Sequence, residues 1–380
     1  MAKLIAFVKA QSRALITEIH DAWEAGDSVA VLDPTLPKQY LADLIDTIDP
    51  DVIQYSGDVS EFRMRNYDLV ADAALVICTS GTSGKAKAVV HTHQALQASA
   101  AATGSYLSIT PGVGTWICAL PITHIGGFTT ITKAMYQKVG LEIFEHFDYL
   151  AIQEIAKAGP SYLPIVRAHL SRIDPSLFTR LVLGAGVAPT ELPKNAHVTY
   201  GLTETGSGVV YDGWALEKVN LAISPQGEIL IQGPMLASCY RDTTPIIDSH
   251  GWFHSDDAGE IIDNRLTVFG RRSEIIHSGG EMIVPSRIEE VLRRLPGIDE
   301  IAVVGVNDLE FGQLAWAFVV VRQGSQDPTL AELKDAIRAV LPHYYAPRGL
   351  EIVKSLPKTP LGKIQKKRLS QIFEAERKDH

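Results

Sequence analysis

The sequence has few cysteines and no long apolar run, and both shortages exclude classes of protein. Cys78, Cys118 and Cys239 are odd in number and widely spaced, which excludes a Cys-x-x-Cys metal pair and argues against a disulfide framework. The cysteines therefore favour the reducing cytoplasm as the compartment. No apolar run approaches the ~18 residues that a membrane-spanning helix needs. The apolar part of the amino terminus is too short for a signal peptide.

Positive charge is also in short supply. The formal net charge is −9 at pH 7, which argues against nucleic acid as a principal partner, because such binding depends on cationic side chains that neutralise phosphates. The remaining composition is ordinary for a globular protein, with 46% hydrophobic and 21% charged residues. A chain of 380 residues is long enough for two or three domains.

The order of apolar patterns predicts the fold class. From residue 74 to about 200, short apolar runs alternate with amphipathic helical patterns, which predicts crossover units and a mostly parallel sheet. Between residues 208 and 270, short strands of period two are bounded by glycine, as in a small antiparallel sheet or barrel. A compact α+β module follows residue 270. The sequence therefore predicts an α/β domain with a β-barrel-like part, followed by a small α+β domain.

The most informative segment is the loop that follows the apolar run 74–77. Its glycines allow backbone N–H groups to approach an anion, while its hydroxyls and lysines suit a polyphosphate. It is not a Walker A loop, because only two residues separate Gly81 from Gly84 and Ala86 follows Lys85. A flexible surface loop is the alternative. The candidate phosphate-binding residues are Thr79, Ser80, Gly81, Thr82, Ser83, Gly84, Lys85 and Lys87.

Residues 80–87 resemble the phosphate-loop signature of the acyl-adenylate-forming superfamily, which includes acyl-CoA synthetases, adenylation domains of peptide synthetases and luciferases. The resemblance recurs in order from about residue 30 to 368, and this ordered recurrence supports the assignment. It implies an ATP- and Mg²⁺-dependent enzyme that converts a carboxylic acid to an acyl-AMP and then to a CoA thioester. It also implies an ATP- and acyl-binding domain over 1–271 and a mobile domain over 272–380, with the pivot near Ser273.

A strand at 180–183 runs into the glycine turn Gly184-Ala185-Gly186. In the resembling family this turn lies beside adenine, where small residues let a flat base approach the backbone. A Rossmann turn is the alternative, because Glu204 lies about 20 residues further on. That alternative is weaker, since Pro189 occupies the position of the third glycine.

The segment Thr199-Tyr200-Gly201-Leu202-Thr203-Glu204-Thr205 is the second strong match. The resemblance implies that Thr199 and Tyr200 bind the nucleotide, with an aromatic face for adenine, and that Gly201 leaves room at the reacting carboxylate. It further implies that Thr203 bonds the α-phosphate and that Glu204 is a ligand of Mg²⁺. A solvated loop carboxylate is the alternative for Glu204.

Four further matches lie in the last third of the chain. Asp257 stands in the position that accepts hydrogen bonds from the ribose hydroxyls, and Arg271 in that of an arginine contacting ribose and phosphate. For both, a solvated surface charge is the alternative. The pair Gly279-Gly280 would let a pantetheine arm pass, although an ordinary turn is equally compatible. Lys363 matches the adenylation lysine, with a solvated basic face as the alternative.

Among members of the superfamily, the short chain resembles the o-succinylbenzoate–CoA ligases of menaquinone biosynthesis, and only 78 residues precede Thr79. The alternatives are a ligase for another aryl or medium-chain acid, an enzyme that loads a carrier protein, and a non-catalytic nucleotide-binding relative. The oligomeric state stays open, with a homodimer as one option. The candidates for the acid pocket are His124, Arg167, His169, Gly201, Ser207 and Gly208, and those implied for catalysis are Lys87, His124, Thr203, Glu204 and Lys363. Arg167 is a candidate because a buried second carboxylate needs a cation or several donors, and a surface helix residue is the equal alternative. For His124, the alternative is a hydrogen-bonded structural histidine.

Overall fold

The computed structural model describes residues 2–57, 60–63, 66–79, 86–184, 191–358 and 364–378, with side chains as far as residue 373. The chain forms two compact units. The first consists of Met1–Ala222, Leu230–Ser255 and Ile261–Leu266. The second consists of Ile223–Ile229, Asp256–Glu260 and Thr267–His380.

Many of the strands coincide with short runs rich in Val, Ile and Leu, which pack well on a pleated surface. In chain order they are β1 Leu4–Val8, β2 Ser28–Leu32, β3 Val52–Tyr55, β4 Ser60–Phe62, β5 Ala73–Thr79, β6 Lys87–Thr92, β7 Thr115–Cys118, β8 Gly140–Ile143, β9 Ser161–Ile165, β10 Arg180–Leu183, β11 Ala196–Leu202, β12 Ser207–Tyr211, β13 Trp214–Ala215, β14 Asn220–Ile223, β15 Glu228–Gln232, β16 Cys239–Tyr240, β17 Phe253–Ile262, β18 Arg265–Arg271, β19 Ile276–Ser278, β20 Glu281–Ile283, β21 Ile298–Asp308, β22 Gly312–Val321 and β23 Gly349–Ile352.

Several helices begin at a side chain that accepts a hydrogen bond from the first turn, as the free N–H groups there require. Ser12 caps the first helix, Thr92 the third and Asp148 the fifth, and Thr329 forms a capping box with Glu332. In chain order the helices are α1 Arg13–Glu24, α2 Lys38–Ile48, α3 His93–Leu107, α4 Ile125–Gln137, α5 Tyr149–Ala158, α6 Arg167–Leu170, α7 Pro285–Leu292, α8 Leu330–Arg338 and α9 Lys366–Lys378.

The first sheet has a parallel centre and antiparallel edges, in the strand order β16-β6-β5-β2-β1-β3-β4. Strand β1 pairs in parallel with β2 and β3, and β2 in parallel with β5. Strands β5 and β6 form an antiparallel hairpin that brings Thr79 opposite Lys87. Strand β16 then adds antiparallel to β6. The two ends of the predicted phosphate loop are therefore held side by side by the sheet.

The second sheet of the first unit is built in the same way. Strands β8, β7, β9, β10 and β11 are adjacent in that order and parallel, and β12 and β13 continue the sheet antiparallel. Because the carboxyl ends of parallel strands meet at one edge, residues that follow β7, β9 and β10 share that edge.

The second unit contains a mixed sheet with the order β20-β19-β22-β21, to which β23 adds beside β22. Strands β21 and β22 form a long antiparallel pair, and β23 runs parallel to β22. Two apolar clusters stabilise this unit, one including Ile288 and Leu333 and the other including Phe318 and Phe373.

The mixed α/β class with large N-terminal sheets and a small C-terminal domain is confirmed, while the sheets contain more antiparallel pairs than the sequence predicted. The barrel-like character of residues 208–270 and the boundary at 271/272 stay predictions. Within the described residues, no helix is both long and apolar enough to cross a membrane.

Candidate active site

The predicted magnesium ligand Glu204 lies in the turn of the hairpin that joins β11 to β12. Leu202 pairs with Ser207 across this hairpin, and the ladder is interrupted between Tyr200 and Gly201. The turn is closed by hydrogen bonds from the N–H of Thr205 to the carbonyl of Leu202 (3.2 Å) and from the N–H of Gly206 to that of Thr203 (3.1 Å). Strand pairing on both sides therefore fixes where the carboxylate is presented.

The same turn is braced from neighbouring elements. The N–H of Ala237 donates to the carbonyl of Glu204 at 2.8 Å, and the hydroxyl of Ser99 on α3 donates to that of Gly206 at 2.8 Å. Nε2 of His91 on β6 lies 2.8 Å from the carbonyl oxygen of Thr203. Because carbonyl oxygens are satisfied on several sides, the backbone that carries Thr203 and Glu204 has little freedom.

The ring of His91 is fully buried, and this burial lowers its pKa to about 4, although the hydrogen bond to Thr203 opposes the shift. The imidazole is therefore neutral at pH 7. Since a carbonyl oxygen only accepts, Nε2 must carry the hydrogen. Nδ1 has no hydrogen-bond partner among the described residues.

Lys87 and Glu204, two predicted catalytic residues, both contact Tyr240 on β16. The Tyr240 hydroxyl donates a hydrogen bond to Oε1 of Glu204 at 3.1 Å. Nζ of Lys87 lies 4.7 Å from the centroid of the Tyr240 ring, within the range of a cation–π contact. Burial raises the pKa of Tyr240, and the charge and hydrogen bond of Glu204 raise it further. The phenol is therefore protonated, and a donor, at neutral pH.

Three predicted residues follow parallel strands at the carboxyl edge of the second sheet. His124 precedes α4, Arg167 begins α6 directly after β9, and Gly184 follows β10, with its N–H donating to the carbonyl of Ile165 at 3.1 Å. His124 retains solvent access, yet desolvation lowers its pKa, with the charge of Asp33 acting in the opposite direction. This edge is where open α/β sheets bind ligands.

His169 has structural partners of its own. Its ring stacks on Phe147 with centroids 4.1 Å apart, and Nδ1 lies 2.7 Å from the hydroxyl of Tyr149. Cζ of Arg172 lies 4.1 Å from the centroid of the Tyr149 ring. Desolvation lowers the pKa of His169, and the charge of Arg172 lowers it further. A neutral imidazole is therefore favoured at pH 7.

The second unit brings together the two residues predicted to bind the nucleotide ribose. Nε of Arg271 lies 3.3 Å from Oδ1 of Asp257, whose side chain is 10% exposed. Beside them, Arg272 forms an ion pair with Glu228 at 2.9 Å, and Glu228 also accepts from the N–H of Asp256 at 2.9 Å. Asp257 is therefore largely buried and paired with Arg271, while the roles of both residues toward a nucleotide stay predictions.

Gly279 and Gly280 form the two-residue turn of the β19–β20 hairpin, in which Ser278 pairs with Glu281. Their φ values are +59° and +86°, the left-handed conformation that such turns require at both positions. The turn alone therefore explains this glycine pair, and its proposed contact with pantetheine stays a prediction.

The residues that flank 359–363 are attached to the second unit. Nζ of Lys358 lies 2.6 Å from Oε1 of Glu300. The backbone of Lys358 also forms an isolated antiparallel β-bridge with Ile364. Nζ of Lys366 lies 2.8 Å from Glu289 and 3.1 Å from Glu274. Burial acts to lower the pKa of Lys366, but the two carboxylates outweigh it and the pKa is raised. Lys366 is therefore a charged, half-buried lysine that ties the start of α9 to two carboxylates.

Comparison with known proteins then decides the family. The model of the AMP-binding enzyme family matches residues 5–241, and the model of the AMP-binding enzyme C-terminal domain matches residues 287–363. A Mycobacterium tuberculosis protein called probable 2-succinylbenzoate–CoA ligase is 32% identical, over 93% of this chain and 97% of its own. The chain belongs to the AMP-binding enzyme family. The resemblance to adenylate-forming enzymes is thereby confirmed.

Solved structures share the fold of this AMP-binding enzyme. The o-succinylbenzoate CoA synthetase of Bacillus subtilis in complex with its acyl-adenylate intermediate has a TM-score of 0.84 at 22% identity, over 96% of this chain and 87% of that one. The same synthetase in complex with ATP and magnesium ion has a TM-score of 0.83 at 22% identity, over 96% and 89%.

The described part of this AMP-binding enzyme contains only some of the predicted site residues. Thr79, Lys87, Thr203 and Glu204 lie on connected elements of the first unit, as do Thr199, Tyr200, Gly201, Ser207 and Gly208 on the β11–β12 hairpin. Their roles toward ligands stay predictions. The predicted residues that lie outside the described residues are Ser80, Gly81, Thr82, Ser83, Gly84, Lys85, Ala185, Gly186 and Lys363.

Sequence reasoning missed Tyr240 and His91. Tyr240 is 36 residues from Glu204, and His91 is 112 residues from Thr203. Neither stands in a pattern with a chemical meaning of its own. The available signal was weak: Tyr240 is followed by Arg241, and the pair comes shortly after the glycine-bounded strand in 227–233.

Proposed function

We propose that this enzyme is an acid–CoA ligase that activates 2-succinylbenzoate with ATP and transfers the acyl group to CoA. The observation that carries the proposal is the contact of Lys87 and Glu204 with Tyr240, which joins the end of the predicted phosphate loop to the predicted magnesium ligand. The choice of acid rests on the relatives named as 2-succinylbenzoate–CoA ligases.

The residues of the first unit fit a magnesium ion. Mg²⁺ prefers oxygen ligands and is usually held by one or two carboxylates together with phosphate oxygens and water. Glu204 supplies such a carboxylate, and the hydrogen bond from Tyr240 to Oε1 orients it. When bound, the ion would offset the negative charge of the triphosphate. Glu204 would hold the ion, and Thr79 and Lys87 would bind the phosphates.

The proposed reaction has two steps. In the first, an oxygen of the substrate carboxylate forms a bond to the α-phosphorus of ATP, and the bond from that phosphorus to the β-phosphate bridging oxygen breaks, which gives acyl-AMP and pyrophosphate. In the second, the CoA thiolate forms a C–S bond to the acyl carbon, and the bond from that carbon to the AMP oxygen breaks. The enzyme's part is to align these groups and stabilise charge.

The side chains proposed to bind the acid are at the carboxyl edge of the second sheet and on the β11–β12 hairpin. 2-Succinylbenzoate carries a second carboxylate, which needs a cation or several donors when it is buried. We assign this role to Arg167, with His124 and His169 beside the aromatic part. Gly201, Ser207 and Gly208 would form the wall of the pocket.

The nucleotide and CoA roles of the second unit complete the proposal. Asp257 and Arg271, which already form an ion pair, would bind the ribose hydroxyls. In the first unit, Gly184, Ala185, Gly186, Thr199 and Tyr200 would contact the adenine. Gly279 and Gly280 would face the pantetheine arm, and Lys363 would bring the carboxylate and the α-phosphate together.

A panel of acids tests the function. The purified full chain is incubated with ATP, Mg²⁺ and 2-succinylbenzoate, benzoate or octanoate, with and without CoA, and pyrophosphate and thioester are measured. We expect pyrophosphate release to be fastest with 2-succinylbenzoate, and thioester only when CoA is present. Arg167→Ala should raise KM for 2-succinylbenzoate and leave KM for ATP unchanged.

The same panel separates the alternatives. A higher kcat/KM for another aryl or medium-chain acid would replace the substrate, and an acyl-AMP that does not react with CoA would indicate a carrier protein as the acceptor. ATP binding with no pyrophosphate release for any acid would contradict an enzymatic role.

A further inference from the structure

Tyr240 contacts two charged residues with two different parts of its side chain. Its hydroxyl donates to Glu204 at 3.1 Å, and its ring lies 4.7 Å from Nζ of Lys87. We propose that Tyr240 is a positioning residue that sets the Glu204 carboxylate and the Lys87 ammonium for Mg²⁺ and ATP. The inference rests on the proposed function for its ligand, but its test is independent of the acid.

The backbone around Tyr240 is attached to both of the elements that it serves. Strand β16 pairs with β6, placing Tyr240 opposite Val89 and two residues from the register position of Lys87. The N–H of Ala237, three residues earlier, donates to the carbonyl of Glu204. One short segment therefore fixes the distance between the lysine strand and the carboxylate turn.

Arg241 anchors this segment from the other side. Its guanidinium is 3% exposed and donates to the carbonyls of Ile48, Tyr67 and Asp49, at 2.9, 2.6 and 3.2 Å. It also lies 3.3 Å from the Asp49 carboxylate. Because the residue after Tyr240 is held in this way, the backbone position from which the Tyr240 side chain extends is fixed.

The chemistry of a phenol suits this position. A direct ion pair between Lys87 and Glu204 would neutralise both charges and compete with their ligands. A neutral hydroxyl orients the carboxylate without cancelling its charge, and the face of the ring attracts the ammonium without supplying a carboxylate. Both charges therefore stay available for a magnesium ion and a phosphate.

The test compares two tyrosine-to-phenylalanine variants. Tyr240→Phe removes the hydroxyl bond to Glu204 and keeps the ring near Lys87. Tyr106→Phe is the matched control, because the Tyr106 hydroxyl also donates to a carboxylate, that of Asp212, at 3.1 Å. Binding of ATP is titrated at a series of Mg²⁺ concentrations by calorimetry, with no acid present, and thermal unfolding is recorded for each variant.

We expect Tyr240→Phe to raise the Mg²⁺ concentration for half-maximal ATP binding by about tenfold, the scale of a hydrogen bond to a charged group. Tyr106→Phe should leave it unchanged. In Glu204→Gln, the further change Tyr240→Phe should have little added effect, since the two residues act together.

Two results would overturn the inference: an unchanged Mg²⁺ dependence in a folded Tyr240→Phe protein, or an equal shift in Tyr106→Phe. A wild-type chain that binds ATP with Mg²⁺ but activates no acid would refute the proposed function and leave this inference standing. A wild-type chain that binds no ATP would refute both. If Tyr240→Phe unfolds, Tyr240→His takes its place, and the titration is carried out on Tyr240→His, on Glu204→Gln and on the double variant. Additive effects of the two changes would refute the coupling.

Discussion

At the scale of single residues, packing against the facing strand requires glycine at position 201. A Cβ atom at this position would lie 2.0 Å from the carbonyl oxygen of Ser207 and 2.7 Å from Cα of Gly208. The sequence predicted that Gly201 leaves room for a reacting carboxylate. The structure gives a reason that does not depend on that prediction, because the backbone of the facing strand occupies the space of any side chain.

Gly201→Ala should therefore lower the free energy of unfolding by about 2–3 kcal/mol, the range of overpacking in a core. The chain offers a matched control in Gly126, where a Cβ atom would meet nothing within 4 Å, so that Gly126→Ala should change stability little or raise it. Urea denaturation of the two variants measures both values. If Gly201→Ala and Gly126→Ala had equal free energies of unfolding, the β11–β12 hairpin would have to accommodate the added methyl group without loss of stability.

At the scale of elements, helix α4 carries a charge into the interior of the first unit. Lys133 is 2% exposed, and its Nζ lies 3.3 Å from the hydroxyl of Thr129 and 5.7 Å from the centroid of the Trp116 ring. Among the described residues, no carboxylate forms an ion pair with it. Burial lowers its pKa to about 8 from the ordinary 10.5. One turn later, Gln137 links α4 to Trp116 and to the backbone of α3.

Lys133→Met should raise the free energy of unfolding at pH 7 by about 3 kcal/mol, since one unit of pKa corresponds to about 1.4 kcal/mol. Between about pH 8 and 10.5 the unfolded chain binds this proton and the folded chain does not, so wild-type stability rises with pH there. The advantage of the variant should therefore shrink over this range. Denaturation at pH 7 and pH 10 tests this.

The control for this experiment is Lys157→Met on α5, where the side chain is 54% exposed and the change should stay within about 0.5 kcal/mol. A stability gain in Lys133→Met that is the same at both pH values would indicate better packing alone. No gain would show that the ammonium reaches solvent or a partner in solution.

At the scale of the whole molecule, the central expectation is that two units share one reaction. The residues on either side of Lys363 are fixed to the second unit through Glu300, Glu274 and Glu289. The predicted magnesium ligand belongs to the first unit. A lysine that serves adenylation must leave before CoA reaches the same acyl carbon, and the proposed solution is a rotation near Ser273.

Lys363→Ala should slow formation of acyl-AMP from ATP at least 100-fold and leave conversion of supplied acyl-AMP to the thioester largely unchanged. Lys354→Ala, an exposed lysine of the same unit, should affect neither step. Pyrophosphate exchange and single-turnover thioester formation measure the two steps separately. An equal loss in both would refute the alternation of domains.

The sequence by itself determined the elements and the family, because both are encoded over short distances. The apolar runs at 74–77 and 180–183 placed β5 and β10 to within a few residues, and the residue order 199–205 carried the resemblance that the family match confirmed. These signals need no knowledge of which strand lies beside which.

Only the tertiary structure decided which side chains meet. The addition of β16 to β6 brings Tyr240 to Glu204 and Lys87, and the same sheet turns His91 toward the carbonyl of Thr203. The antiparallel return of β5 into β6 was also beyond a local pattern. Strand pairing between distant segments is set by burial of the whole core, and no run of neighbouring residues specifies it.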